Sequence, residues 1–324
     1  MRVAVLGGYG PGQSVGGVFR AFKRAGHEVM HWPTFPDFNP AIVEKAELPD
    51  LLFTFKIGLD HVPRGFIKSL KVPTKIFWSF DDPHWIKYSK SKSIWHAQEH
   101  GIVFTSCRGS IEDYKKQGCP RAYFMPPAMD LEVYNPDLYL RNWEKYLASF
   151  ICTNLYPISA FPHNFLDRKE MVDRLYAAFG KDFALYGFNR GIADHPACRG
   201  QVQWENTLPA AICATRMNIE NHAYNSDDLY FNERFFQIVS TRKAMFLDRC
   251  SGFTDLFGEE DENFIWYSSL DELVDRLRFY KEQTALLEEI GQNGFDRLRE
   301  WTYDKFVKQV MWAAEGLTPY PSFL

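Results

Sequence analysis

The chain lacks most of the features that would settle its class at once. Its six cysteines, Cys107, Cys119, Cys152, Cys198, Cys213 and Cys250, form no C-x-x-C pair, and none stands at zinc-finger spacing from a histidine. Scattered single thiols in a chain of this size suit a reducing compartment and exclude a disulfide scaffold. No apolar run approaches the ~18 residues of a membrane span. The opening MRVAVLGGYG enters a strand directly, without the regions of a signal peptide. Thirty-seven Lys and Arg stand against 41 Asp and Glu, a formal net charge of −4. Nothing in that balance draws the protein to nucleic acid or anionic membrane in general, although local patches stay open. Internal repeats, low-complexity tracts and charge blocks are missing too. These absences predict a soluble, cytoplasmic, globular protein.

Two nucleotide-binding signatures also fail. Gly7-Gly8-Tyr9-Gly10-Pro11-Gly12 follows an apparent first strand, but the third glycine of G-x-G-x-x-G would fall at Gln13 or Val15. No G-K-[ST] occurs, so a Walker A loop is excluded.

What is present is alternation. RVAVL, HEVMHW, DLLFTF (50–55), TKIFWSF (74–80), GIVFTS (101–106) and AYFM (122–125) are short apolar runs separated by segments of helical length. Proline-rich residues 126–147 break the pattern. It resumes with ASFICT (148–153), an amphipathic helix over 164–179, DFALYGF (182–188), RMNIE (216–220), a helix over 231–240, KAMFLD (243–248) and NFIWY (263–267). Gly291 and Gly294 are read as interrupting the helical tail. Strands alternating with helices predict parallel sheets covered on both faces. With 324 residues, 46% of them hydrophobic, two domains are expected, 1–146 and 147–302. Aromatic residues reach 16%; most are expected in cores, with some free to stack on sugars or bases.

Chemistry is expected at the carboxyl ends of these strands, where open α/β sheets bind ligands. Gly8, Tyr9, Gly10, Gly12 and Gly16 let backbone N–H groups approach a phosphate or an acceptor, or else form only a tight turn. Asp81, Asp82 and His84 end an apolar strand in FWSFDDPHW and suit a base that takes a proton from an acceptor hydroxyl; a plain turn at Pro83 explains them as well. Lys87, Lys90 and Lys92 lie among Trp85, Tyr88 and Trp95, a pattern compatible with an anionic polymer or with a solvated loop. In the second half, Asn232, Glu233 and Arg234 lead a helix whose N-terminus could hold a diphosphate, with Arg234 as a forked donor and Gln237 one turn inside facing a ribose. Capping and dipole matching are the alternative roles of these acidic and amide groups. Tyr186, Gly187 and Arg190 end one strand, Asn218, Glu220 and Asn221 end another, and Glu205 precedes a helix start. Together they form a polar rim along one sheet edge.

The ordered set FDDPHW, GIVFTSCRGSIEDYKKQGCPRAYFMPPAMDLEVYNP, RMNIENHAYNSDDLYFNERFFQIVSTRKAMFLD and GFTDLFGEEDENFIWYSSLDELVDRLRFY resembles the CgeB-type glycosyltransferase family, relatives of the group 1 enzymes. The resemblance runs over nearly the whole chain and rests on the order of the pieces. It implies the GT-B architecture: two facing Rossmann-like α/β domains with an interdomain cleft, a last helix (303–324) crossing back onto the first domain, and a nucleoside diphosphate sugar, UDP-linked, bound by the second. It implies no cofactor and no metal requirement, and an acceptor that is a glycan, a protein, a metabolite or a modified DNA base. The family's F-E-A reads Phe236-Gln237-Ile238 here, and its A-x-x-G becomes Ser240-Thr241-Arg242. Related families retain the anomeric configuration, and the resemblance leans that way. A nucleotide-sugar 2-epimerase and a non-catalytic nucleotide-sugar binding protein are the alternatives.

Overall fold

The computed structural model describes residues 1–8, 13–34, 38–45, 47–56, 61–79, 92–139, 145–152, 155, 167–187, 190–203, 207–222 and 226–324. Two parallel sheets divide them. The first holds β1 (Arg2–Gly7), β2 (Glu28–Pro33), β3 (Leu51–Phe55), β4 (Thr74–Ser79), β5 (Ile102–Thr105) and β6 (Ala122–Phe124), in the order β2-β1-β3-β4-β5-β6. The second holds β7 (Tyr146–Cys152), β8 (Phe183–Gly187), β9 (Thr215–Glu220), β10 (Ala244–Asp248) and β11 (Ile265–Tyr267), in the order β11-β10-β9-β7-β8.

Apart from the edge strand β2, most of which is only half-buried or exposed, these strands form because they are β-branched and aromatic runs buried on both faces. Side chains alternate between two cores. Val3, Val5, Phe53, Phe55, Trp78 and Phe104 pack on one face of the first sheet. Ala4, Leu6, Leu52, Phe77 and Val103 pack on the other.

The helices that matter for the site are α1 (Ser14–Arg24), α2 (Arg168–Phe179), α3 (Glu233–Ser240), α4 (Leu270–Tyr280), α5 (Thr284–Leu298) and α6 (Tyr303–Ala314). Helix α6 follows the second sheet in the chain but packs on the first. The Phe306 ring lies 4.3 Å from that of Trp78 and 6.1 Å from that of Phe53. Gly17 permits the approach of α1 to α6, since a Cβ there would sit 2.3 Å from the Tyr303 ring. The connection is held by Trp301, whose Nε1 donates to the Pro127 carbonyl at 2.8 Å.

One expectation is corrected. Helix α5 runs unbroken through Gly291 and Gly294. A Cβ at Gly291 would fall 2.4 Å from the Arg242 carbonyl oxygen, and one at Gly294 would fall 2.8 Å from that of Asn263. These glycines let the helix lie against the backbone leading into β10 and β11; they do not end it.

The two lobes meet where the segment ahead of α3 crosses the residues just beyond β5. Phe231 N–H donates to the Ser106 carbonyl just beyond β5, at 2.9 Å. The Arg108 fork closes on Asp228 at 2.6 and 2.9 Å. Much of the aromatic content gathers behind this seam: Phe231 stacks on Phe253 at 4.5 Å, and Phe235 on Phe257 at 6.0 Å.

Candidate functional site

In a doubly wound sheet the strand order reverses at one point, and the loops there diverge to leave a crevice at the carboxyl ends. The order of the second sheet places that point between β7 and β9. The residues there are polar. Apart from the half-exposed Arg216, strand β9 is buried up to its end at Glu220, itself fully buried. From α3, Arg234 reaches across: Nε donates to one Glu220 oxygen at 2.5 Å and Nη2 to the other at 2.7 Å. Its Nη1 donates to the Ile151 carbonyl near the end of β7. The guanidinium therefore bridges the two strands that flank the switch point, and its side chain stays 15% exposed.

Burial alone would raise the Glu220 carboxyl. The Arg234 charge and hydrogen bonds, aided by His222 and Asn232, overcome this and hold it at about 2. Glu220 is thus a fixed anion that orients Arg234.

A second guanidinium arrives from a residue the sequence did not single out. Arg168 is the first residue of α2, whose N-cap Asp167 accepts the N–H groups of Lys169 and Glu170. From there Arg168 donates to Asn221 Oδ1 at 3.1 Å and to the Asn221 carbonyl at 2.9 Å. Both guanidiniums lie over the Phe150 ring, Arg234 at 5.5 Å and Arg168 at 5.9 Å from its centroid. Burial, with the charge of Arg234, lowers the Arg168 pKa. Two like charges are held close at the carboxyl edge of the sheet. Only a basic residue at the start of α2 hints at this in the sequence, and nothing there says that α2 abuts β9.

The residues ahead of α3 have structural partners. Asn232 caps the helix, accepting from Phe235 N–H at 3.0 Å and donating to Glu220 at 2.7 Å. Glu233 crosses to the first lobe and accepts the Ser14 N–H at the start of α1. The Ser14 hydroxyl in turn accepts from Tyr303 Oη at 2.5 Å. Three helix N-termini, those of α1, α3 and α6, thus converge at the seam between the lobes.

Gln237 differs. It is 4% exposed, and neither amide atom has a hydrogen-bond partner among the described residues. Asn221 Nδ2 and His222 Nε2 are buried and unpartnered in the same way. Each such group costs about 1–3 kcal/mol when left unmatched.

Other candidates that the structure describes have structural roles. Asn218 points into the interior, accepting from Ser149 Oγ at 3.1 Å and donating to the Ile212 carbonyl at 3.3 Å. It is a core amide, not part of the rim. Tyr186 is packed in the core against Tyr146, ring centroids 6.4 Å apart. At Gly187 a Cβ would lie 2.5 Å from the Cys152 carbonyl oxygen, so the glycine serves strand packing. Gly16 is buried within α1, and Gly8 lies just beyond β1. Arg190 opens a short helix, Arg190–Ala193; its side chain lies outside the described residues. So do Tyr9, Gly10, Gly12, Asp81, Asp82, His84, Lys87, Lys90 and Glu205.

Next to Glu220, His222 pairs with the last residue of β10. Its Nδ1 lies 2.8 Å from Asp248 Oδ1, and its backbone N–H reaches both Asp248 oxygens at 3.1 Å. Cys250 lies beside them, its thiol pushed well up by burial and by the Asp248 and Glu220 charges.

A cavity of about 640 Å³ opens elsewhere, along the free edge of β6, lined by Arg108, Ile111, Tyr123, Phe124, Leu256 and Tyr320. None of the candidate residues lines it.

Residues 168–311, which span Arg168, Glu220, His222, Arg234, Gln237 and Asp248, match a family model described as glycosyl transferase-like. No curated protein matches the chain. Several solved structures share its fold. Anabaena HepE in complex with UDP aligns with a TM-score of 0.65 at 11% identity, over 98% of this chain and 100% of that one. An alpha-glucosyltransferase in complex with UDP and a 13-mer DNA containing an HMU base aligns with a TM-score of 0.71 at 11% identity, over 97% and 99%. A glycosyltransferase from Rickettsia africae aligns with a TM-score of 0.63 at 9% identity, over 97% and 98%. The shared fold is the GT-B arrangement of two facing parallel sheets.

Proposed function

We propose that the protein is a glycosyltransferase that moves a sugar from a UDP-linked donor to an acceptor hydroxyl. The observation that carries this is the pair of guanidiniums, Arg168 and Arg234, held at the switch point between β7 and β9. The glycosyl transferase-like match over residues 168–311 and the GT-B fold support it. Anabaena HepE is described with UDP-glucose bound and the alpha-glucosyltransferase with UDP and DNA; the same donor class is proposed here. The CgeB-type subgroup is the finer assignment that the ordered sequence pieces favour.

The chemistry follows from charge. As the glycosidic bond to the diphosphate breaks, negative charge builds on the leaving oxygen. Preorganised cations aimed at that position stabilise it in the transition state without reorganising. Arg168 and Arg234 are preorganised in this sense, Arg234 by Glu220 and Arg168 by Asn221. A diphosphate between them also relieves their mutual repulsion. Gln237 offers an amide to the ribose hydroxyls and gains the partners it otherwise lacks. The Glu233–Ser14 contact joins the lobes, which suits closure over a bound donor with exclusion of water. Asp81, Asp82 or His84 is the proposed base for the acceptor hydroxyl.

The test is a thermal-shift panel of nucleoside diphosphate sugars, since a ligand that binds only the folded protein raises its melting temperature. UDP-sugars are expected to raise it, and release of UDP should follow when glycan, small-molecule or hydroxymethylated-DNA acceptors are added. Failure of every nucleotide sugar to shift the transition would overturn the reading. Turnover of the donor with no acceptor present would favour an epimerase instead.

A further inference from the structure

We propose that His222, Asp248 and Cys250 form a buried site for a divalent metal ion of zinc's class, separate from the sugar-transfer chemistry. The three side chains stand at and just beyond the carboxyl ends of two adjacent parallel strands, β9 and β10. Their positions are therefore set by the sheet. One ligand atom from each lies within 4.8 Å of those of the other two. A tetrahedral ion with bonds of ~2.0–2.3 Å spaces its ligands ~3.5 Å apart, so small side-chain movements suffice. All three residues are buried, and imidazole nitrogen, carboxylate oxygen and thiolate sulfur are the donor types that zinc accepts.

Charge is the second observation. Asp248 is 1% exposed, and no lysine or arginine among the described residues pairs with it. A buried carboxylate without a cationic partner is costly. Its contacts are the His222 N–H, the His222 ring and the Cys250 thiol. A second carboxylate, Glu220, also acts on Cys250, although it is directly paired with Arg234. A cation among His222, Asp248 and Cys250 would compensate Asp248 and allow the thiol to ionise. Binding releases the thiol proton to solvent and moves the imidazole proton from Nδ1, where it bonds Asp248, to Nε2, so that Nδ1, Asp248 and the thiolate face the ion. The alternative is a hydrogen-bonded clamp in which Asp248 ties β10 to the turn after β9, with no ion bound.

Full-length protein expressed with added zinc, purified without chelator and dialysed, decides between them. Elemental analysis is expected to give about one zinc per chain. Replacement by Co²⁺ should give intense visible bands and a thiolate-to-cobalt charge-transfer band. Cys250→Ser and His222→Gln should each remove the charge-transfer band or the bound ion. Cys119→Ser, at a buried thiol in the other lobe, should leave both intact. Folded wild-type protein with zinc well short of one per chain and a Co²⁺ spectrum like that of the aqueous ion would overturn the proposal in favour of the clamp. Metal binding untouched by both site variants would overturn it too. Wild-type metal content needs no variant to fold, and neither readout depends on glycosyl transfer.

Discussion

The Arg234 guanidinium embraces both oxygens of Glu220, at 2.5 and 2.7 Å, across the point where the second sheet reverses its strand order. Glu220 is fully buried while Arg234 keeps a 15% exposed side chain, so the carboxylate fixes the cation and the cation remains open to a ligand. Breaking a buried ion pair by removing one partner leaves the other charge uncompensated. Glu220→Ala is expected to lower unfolding stability by ~3 kcal/mol in urea titration, with Arg234 freed to disorder. A loss below ~1 kcal/mol would mean that the pair is screened like a surface one.

The pH dependence has a defined sign. The Glu220 carboxyl is held at about 2 in the folded protein, below its ordinary unfolded value near ~4.3. Its contribution is complete above the unfolded value and is lost as pH falls through the folded one. Glu220→Gln should therefore flatten the acid limb of the stability curve between those two values, measured by denaturant titration at successive pH.

His100 acts over a higher window. It is buried between Thr54 Oγ1 at 2.9 Å and the His96 carbonyl at 2.5 Å. Burial, with the His96 and Lys75 charges and against the His96 hydrogen bond, lowers its pKa to about 3. The folded protein resists the proton that the unfolded chain takes up near ~6.5, so stability from neutral His100 is full above that value and falls as pH drops toward 3, by up to ~1.4 kcal/mol per pH unit. His100→Gln should lower stability at neutral pH but remove that slope.

Much of the fold was legible because parallel strands buried on both faces are apolar runs, and every apolar run named from the sequence became a strand. The glycines of α5 misled because a helix packed against backbone needs the same residue that a break does. The site was legible only in part. Asn232, Glu233, Arg234 and Gln237 stand where the helix start was expected, but their destinations depend on which strands are neighbours. Arg168 was invisible as a site residue for the same reason: its value lies in the proximity of α2 to β9. Asn218 was misplaced because it lies two residues short of the end of β9, on the face that Glu220 shares but deeper in the sheet, where Ser149 and the Ile212 carbonyl take its amide.

Gly291→Ala gives a direct check on the packing of α5. In an exposed helix this change gains ~1 kcal/mol. Here the new methyl meets the Arg242 carbonyl oxygen at 2.4 Å, so a loss of ~1–3 kcal/mol is expected instead, read from the melting transition.

Gln237 should show a conflict between stability and binding. Gln237→Leu removes two unmatched buried polar atoms at similar volume and is expected to raise stability by ~1 kcal/mol. It should also weaken UDP-sugar binding, because the proposed ribose contact is lost. Calorimetric titration alongside denaturant unfolding separates the two effects, and unchanged affinity would remove Gln237 from the donor site.

The most direct test of the two-guanidinium account compares UDP with uridine by isothermal titration, for the wild type and for Arg168→Ala. The account predicts that wild-type protein binds UDP at least ~100-fold more tightly than uridine, a charge-assisted contribution of ~2–3 kcal/mol. In Arg168→Ala most of that difference should disappear, with the fold intact. Equal affinity for UDP and uridine in the wild type, or an undiminished difference in the variant, would contradict it.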